Sequence, residues 1–125
     1  MFDLDLFKSE CSAAAPGRAD QQAIRHIVAR AVEAPGAILE SLGEPRRAEV
    51  KTLHRSVDLT ILNVVWGPRM TVMPHNHNMW AVIGIYTGRE DNILWRRLPD
   101  APGGRIGREP LLTTRTLSRR RAATR

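Results

Sequence analysis

The chain has little of what secreted and membrane proteins need. Its single cysteine, Cys11, cannot form a disulfide within the chain, which favours a reducing compartment, and we expect a cytoplasmic protein. No apolar run approaches the roughly 20 residues of a membrane span. The acidic start, residues 1–5, lacks the basic and apolar stretches of a secretory signal. The sequence therefore predicts no membrane partner.

Acidic residues are scarce at one end of the chain. Residues 101–125 contain seven arginines and one acid, Glu109, so that segment alone accounts for the net charge of +6. Residues 1–100 are neutral overall and offer no electrostatic reason to bind nucleic acid. We expect a folded body over 1–100 and a basic, disordered tail over 101–125.

Helical periodicity is confined to the N-terminal part. Apolar residues recur at three- and four-residue spacing over 19–34 and predict an amphipathic helix that Pro35 and Gly36 end. A second short helix is predicted over 36–42, with Gly43 as its end.

Runs of β-branched and large apolar residues follow. They predict strands over 50–53, 59–66, 79–86 and 92–97, with turns near 56–58 and 87–91. Short strands at this spacing are typical of an antiparallel sandwich or barrel. The sequence thus predicts a mainly β domain preceded by α-helices.

The segment Pro74-His75-Asn76-His77 carries the chemistry. Two histidines at i and i+2 on extended backbone project to one face, so both imidazoles can reach one ion. Imidazole suits iron, zinc, copper and nickel. We predict that His75 and His77 bind a metal with their rings inside a barrel, although the spacing also suits two loop histidines.

The sequence around these histidines resembles a known family. The stretch LTILNVVWGPRMTVMPHNHNMWAVIGIYTGREDNILWRR is similar to bacterial cysteine dioxygenase-like cupins, and the resemblance extends over about residues 53–97. It implies a cupin double-stranded β-helix with non-haem Fe(II), which oxidises a small thiol acid to its sulfinate with O2. It also implies that Arg55 binds the substrate carboxylate, a role that suits the planar guanidinium.

Several positions depart from that family. Ala81 occupies the glutamate position of the first cupin motif, as the three-histidine thiol dioxygenases allow, and Arg69 stands where the family has a glycine. No histidine follows His77, so the third metal histidine is missing. Glu90 or Asp91 could add a carboxylate, but their place at the far end of the predicted strand disfavours it.

These departures suggest a truncated or frameshifted family member with an incomplete barrel. Such a chain would be either an oxidoreductase that is active through an unforeseen ligand or an inactive fragment with weak metal binding. The alternative is a non-catalytic cupin module that binds a small molecule or a partner, with the arginine-rich tail contacting nucleic acid. The substrate thiol and the oligomeric state do not follow from the sequence.

Overall fold

The computed structural model describes residues 1–15, 21–75, 77–93, 95–97 and 106–108, the last two segments as backbone alone. Their elements, in chain order, are α1 (Leu4–Ala14), α2 (Gln21–Val32), α3 (Pro35–Leu42), β1 (Glu49–Arg55), β2 (Thr60–Val65), β3 (Trp95–Arg97) and β4 (Ile106–Arg108). The chain divides into two compact units, Met1–Tyr86 and Thr87–Arg125. Within the described ranges, every helix is too short or too polar to cross a bilayer.

Helix α1 is not among the helices predicted above, although its signals are present in the sequence. The Asp3 carboxylate caps it by accepting a hydrogen bond from the Leu6 amide at 3.0 Å. Phe7 and Cys11 are four residues apart and lie on the face of α1 that packs on the core, and Cys11 is only 2% exposed. Cys11 therefore belongs to the third turn of a helix and to the core.

Helices α2 and α3 agree with the predictions to within a few residues. Helix α2 presents Ile24 and Val28 to the core, one turn apart. Helix α3 begins with Pro35, whose fixed φ suits the first turn, and ends at Gly43, which has φ 87° and donates its amide to Leu39. The local start and stop signals of both helices were thus sufficient to predict them.

Strands β1 and β2 form the predicted antiparallel hairpin, with Glu49 opposite Val65 and Arg55 opposite Thr60. The turn lies where it was expected: the Ser56 hydroxyl donates to Asp58 at 2.9 Å. The register shifts between Thr52 and His54, so Leu53 is an extra residue in β1.

The described core of the first unit is small. Its buried members are Cys11, Ile24 and Leu59, and the partly buried residues packed against them are Phe7, Ala14, Ala15, Ile27, Val28, Ile61 and Val82. These side chains come from α1, α2, the hairpin and residue 82. Hydrophobic burial, worth about 1.5–3 kcal/mol for each fully buried large side chain, therefore joins the helices to the hairpin.

The predicted strand over 79–86 is wrong. These residues form no strand, and one of them, Gly84, lies against helix α2. A Cβ placed on Gly84 would come within 2.6 Å of a Val28 methyl carbon and 2.7 Å of a Val32 methyl carbon. Close packing of this run on α2 therefore occurs at Gly84, whereas Met79, Trp80 and Ile83 are exposed.

The mainly β prediction is also not met. The described residues form a mixed helix-and-strand fold with two two-stranded antiparallel sheets, and they contain no cupin barrel. The expectations of antiparallel strands and of N-terminal helices are confirmed. The physical reason for the difference is that residues 79–86, which were expected to supply a further strand, have no strand partner among the described residues.

The second unit contains the pair β3–β4, with Trp95 opposite Arg108 and Arg97 opposite Ile106. Strand β3 is the end of the strand predicted over 92–97. Strand β4 lies within the segment predicted as a disordered tail. Residues 101–105 and 109–125 lie outside the described residues, so the disorder of that tail stays a prediction.

Candidate metal centre

A tight turn leads into the histidine segment. The Gly67 carbonyl accepts the Met70 amide at 3.1 Å, with Pro68 and Arg69 between them. Proline at the second position and φ 59° at Arg69 define a type II turn, whose third position favours glycine. The glycine that the family resemblance places at Arg69 therefore matches the backbone there. The exposed arginine side chain has room, so the misfit is confined to the backbone.

The two histidines are brought together. Their Nε2 atoms are 3.0 Å apart, and their rings stack with centroids 5.0 Å apart and an interplanar angle of 22°. Two nitrogens at about 2.0–2.1 Å from one zinc ion lie about 2.9 Å apart at a right angle and about 3.4 Å apart at the tetrahedral angle. The observed separation is therefore in the range that a shared transition-metal ion requires.

The Met73 carbonyl determines which nitrogen of His75 carries the proton. It lies 2.9 Å from His75 Nδ1, and because a carbonyl oxygen only accepts, Nδ1–H is the donor. The Nε2 atom of neutral His75 then keeps its lone pair and accepts a hydrogen bond from Nε2–H of His77. Donation of the second ring N–H to a backbone carbonyl is the usual arrangement of a metal-binding histidine.

The surroundings of the pair differ from the prediction. Both rings are exposed, and neither histidine lies on a strand. Asn78, with φ 55°, turns the chain directly after His77, a conformation that asparagine tolerates better than most residues. The expected position inside a barrel is therefore wrong, and the nitrogens converge through the local loop. An exposed pair competes with water for any ion, which lowers its affinity.

A third protein ligand of the usual kind is missing from the described part of the chain. No group of three or more His, Cys, Asp or Glu side chains able to hold a metal occurs there. The Asp91 carboxylate instead accepts a hydrogen bond from Nε of Arg89 at 2.8 Å and forms an ion pair with a terminal nitrogen of Arg89, also at 2.8 Å. The two histidines thus fit a metal as a pair, but they do not make the three-histidine iron site of the family.

Arg55, the predicted carboxylate-binding residue, lies at the end of β1 with its side chain exposed. Among the described residues, no hydrogen bond joins it to either histidine of the pair, and no carboxylate forms an ion pair with it. The neighbouring His54 turns inward, and its Nε2 is buried without a described hydrogen-bond partner. His54 and Arg55 therefore face opposite sides of the strand, as successive residues of a β-strand do.

Large apolar side chains surround the pair along the sequence and are exposed. They are Trp66, Met70, Val72, Met73, Met79, Trp80 and Ile83, with exposures from 42% to 78%. In a closed barrel about half of such a run would face the interior. Among the described residues, no strand pairs with this run, and its apolar side chains stay exposed.

One contact of this region was not predicted. The phenol of Tyr86 donates a hydrogen bond to the Asn63 side-chain oxygen at 2.7 Å, and Asn63 is only 8% exposed. Burial raises the pKa of Tyr86 above its usual value. The polar Asn63 inside the apolar run of β2 was the available signal, because a buried amide needs a partner.

Comparison of the chain with protein-family models, with curated proteins and with solved structures found no match. The likeness to thiol dioxygenases therefore depends on the quoted residues alone.

Proposed function

We propose that the chain binds a divalent transition-metal ion through Nε2 of His75 and Nε2 of His77. The observation that carries the proposal is their 3.0 Å separation, together with the Met73 carbonyl that directs the His75 lone pair toward His77. A metal ion would replace the proton that the two nitrogens now share. For that exchange both rings would tilt until their Nε2 lone pairs point at the ion, and their exposed positions leave room for this.

We further propose that the ion is Fe(II) and that the chain is a relative of the cupin thiol dioxygenases. The PHNHNMWAVIGIY and GREDN motifs support this, and so does the left-handed backbone of Arg69 at the family's glycine position. The single free thiol, Cys11, is buried and suits a reducing compartment such as the cytoplasm.

The chemistry implied by that kinship joins a thiol and O2 to give a sulfinic acid, RSH + O2 → RSO2H. Bound ferrous iron would supply the redox chemistry. In this chain, Arg55 would hold the substrate carboxylate by charge-assisted hydrogen bonds, and the two histidines would hold the ion. Because the described residues supply no third ligand, we propose metal binding as the retained property and turnover as lost or weak.

The test is anaerobic titration of the full chain with Fe(II), with Zn(II) as a redox-inert probe. Wild type should bind one ion per chain and release it to a mild chelator. His75→Ala or His77→Ala should lower the affinity by about 10- to 100-fold or more, since each change removes half of the protein ligands. His26, exposed on α2, provides a matched control, and His26→Ala should bind as wild type does.

Two results would contradict the proposal. If His26→Ala loses as much affinity as His75→Ala, the binding is non-specific. If neither His75→Ala nor His77→Ala changes the affinity, the metal binds elsewhere. Stoichiometric metal that survives the chelator would instead reveal a further ligand.

The role of Arg55 needs a separate measurement. In metal-loaded protein, Arg55→Gln should weaken the binding of a small thiol acid about 10- to 100-fold and leave metal affinity unchanged, because a charge-assisted pair contributes about 1.5–3 kcal/mol. Lys51→Gln, on the exposed part of the same strand, is the control. Equal loss of metal and thiol acid in Arg55→Gln would mean that Arg55 supports the fold.

A further inference from the structure

Two methionines flank the histidine pair with regular spacing. The segment 73–79 reads Met-Pro-His-Asn-His-Asn-Met, so Met73, His75, His77 and Met79 occupy every second position. Both thioethers are unusually open for apolar side chains: Met73 is 77% exposed and Met79 is 78% exposed. Burial in the described structure therefore does not account for either methionine.

The combined donor set has a definite metal preference. Imidazole binds many transition metals, but thioether sulfur is a soft ligand that favours Cu(I) over Fe(II), Zn(II) or hard cations. The described residues bring no third His, Cys, Asp or Glu side chain to the pair, and the soft donors nearest to it along the chain are the thioethers of Met73 and Met79. Four donors in seven residues could satisfy a cuprous ion without help from another part of the chain.

The local structure permits this assembly. The His75 and His77 nitrogens already converge at 3.0 Å, and Met73 is held beside His75 by the bond from Nδ1 to its carbonyl. The turn at Asn78 means that strand alternation does not place Met79. Its side chain has three rotatable bonds and is exposed, so it can move onto an ion at the pair with little loss of packing.

We propose that residues 73–79 form a Cu(I) site with two imidazole and two thioether ligands, Met73, His75, His77 and Met79. This rests on the same histidine pair as the proposed function but assigns a different ion and two further ligands. The role is binding of the cuprous ion, without a redox step.

The test is competition for Cu(I) between the full chain and a chromophoric cuprous chelator, under anaerobic reducing conditions. Wild type should take one Cu(I) per chain. Met73→Leu with Met79→Leu should lower Cu(I) affinity by about 10- to 100-fold and leave Zn(II) affinity unchanged. Met70→Leu is the matched control, because Met70 is also exposed but lies outside the segment.

X-ray absorption at the copper edge of the wild-type protein provides a readout that needs no variant. Sulfur scatterers beside nitrogen are expected, and a spectrum with nitrogen and oxygen alone would overturn the proposal. So would unchanged Cu(I) affinity in the double variant, or an equal loss in Met70→Leu. If Zn(II) binding depends on the histidines while Cu(I) affinity does not depend on the methionines, this inference fails and the proposed function stands. If Cu(I) affinity depends on the methionines while neither Zn(II) nor Fe(II) binding depends on the histidines, this inference stands and the proposed function fails.

Discussion

Residues 1–65 and residues 66–86 belong to one compact unit, yet they differ in how far they bury their apolar side chains. The first region holds the buried residues Cys11, Ile24, Ile38 and Leu59. Among the described residues, the second exposes seven large apolar side chains, whereas the first, which is about three times as long, exposes five. Exposed apolar side chains at this density mark surfaces that bind something or that lack their packing partners.

The difference shows which interactions each region needs. The helices and the hairpin are stabilised by caps, a tight turn and a local cluster. Residues 66–86 contact that body at a few points: Val82 packs on the core, Gly84 lies against α2, and Tyr86 bonds to Asn63. The histidine pair therefore lies in the less firmly packed region, where a bound ion could contribute most to order.

The largest effect is expected in the core. Ile24→Ala should lower the free energy of unfolding by about 2–5 kcal/mol, because it removes most of a side chain that is 5% exposed. Ile83→Ala, at 63% exposure, should change it by less than about 0.5 kcal/mol. Urea denaturation followed by tryptophan fluorescence gives both values. Similar losses in the two variants would mean that the second region is as well packed as the first.

Gly84→Ala tests the contact between the regions. The new Cβ would overlap the methyl groups of Val28 and Val32, so we expect a loss of about 1–3 kcal/mol. Adding Val28→Ala should recover part of that loss, measured as a coupling in a double-mutant cycle.

Gly36 is the control for this effect. A Cβ at Gly36 meets no atom within 4 Å, and its place in α3 means that alanine should stabilise the chain by about 0.5–1 kcal/mol. If Gly84→Ala is as harmless as Gly36→Ala, residues 79–86 do not pack on α2 as described.

Tyr86→Phe removes the hydrogen bond between the Tyr86 phenol and the Asn63 side chain. Asn63 would be left buried without its partner, so a loss of about 1–3 kcal/mol is expected. The chain has one tyrosine, so phenolate absorbance reports Tyr86 alone.

The pH dependence of this contact has a definite sign. Burial raises the pKa of Tyr86 in the folded chain above the unfolded value of about 10. The corresponding stabilisation is present below pH 10 or so and is lost as the pH rises through the folded pKa. Absorbance that titrates at the same pH with and without denaturant would contradict the burial of this phenol.

What could be predicted from the sequence follows the same division. Helix α2 has its apolar spacing, α3 has Pro35 and Gly43 at its ends, and the hairpin has its turn residues, all within a few positions. Local patterns were therefore sufficient for these elements. The histidine pair was found from its i, i+2 spacing, but for the wrong reason, since the rings converge through a loop. The structure of residues 79–86 could not be predicted correctly, because a composition rich in β-branched residues does not distinguish pairing with a strand from contact with helix α2.

Arg69→Gly should have a small effect and, like Gly36→Ala, should increase the stability of the chain. Arg69 has φ 59° in the third position of its turn, where a residue with a Cβ loses roughly 1–2 kcal/mol relative to glycine. Glycine also stabilises the unfolded chain through its greater freedom, by about 0.5–1 kcal/mol. The net expectation is a stabilisation of about 0.5–1 kcal/mol, or roughly 2–8 °C in Tm for a unit of this size.

Two further substitutions separate the effect of the backbone conformation at Arg69 from the effect of its charge. Arg69→Ala keeps the strained backbone and removes the guanidinium, so it should leave stability near that of wild type, because Arg69 is exposed. Arg69→Asn should fall between alanine and glycine, since asparagine tolerates left-handed φ. If Arg69→Ala stabilises as much as Arg69→Gly, charge and not backbone is responsible. The turn that introduces the histidines would then have no structural preference for glycine, and the match to the family at this position would lose its physical basis.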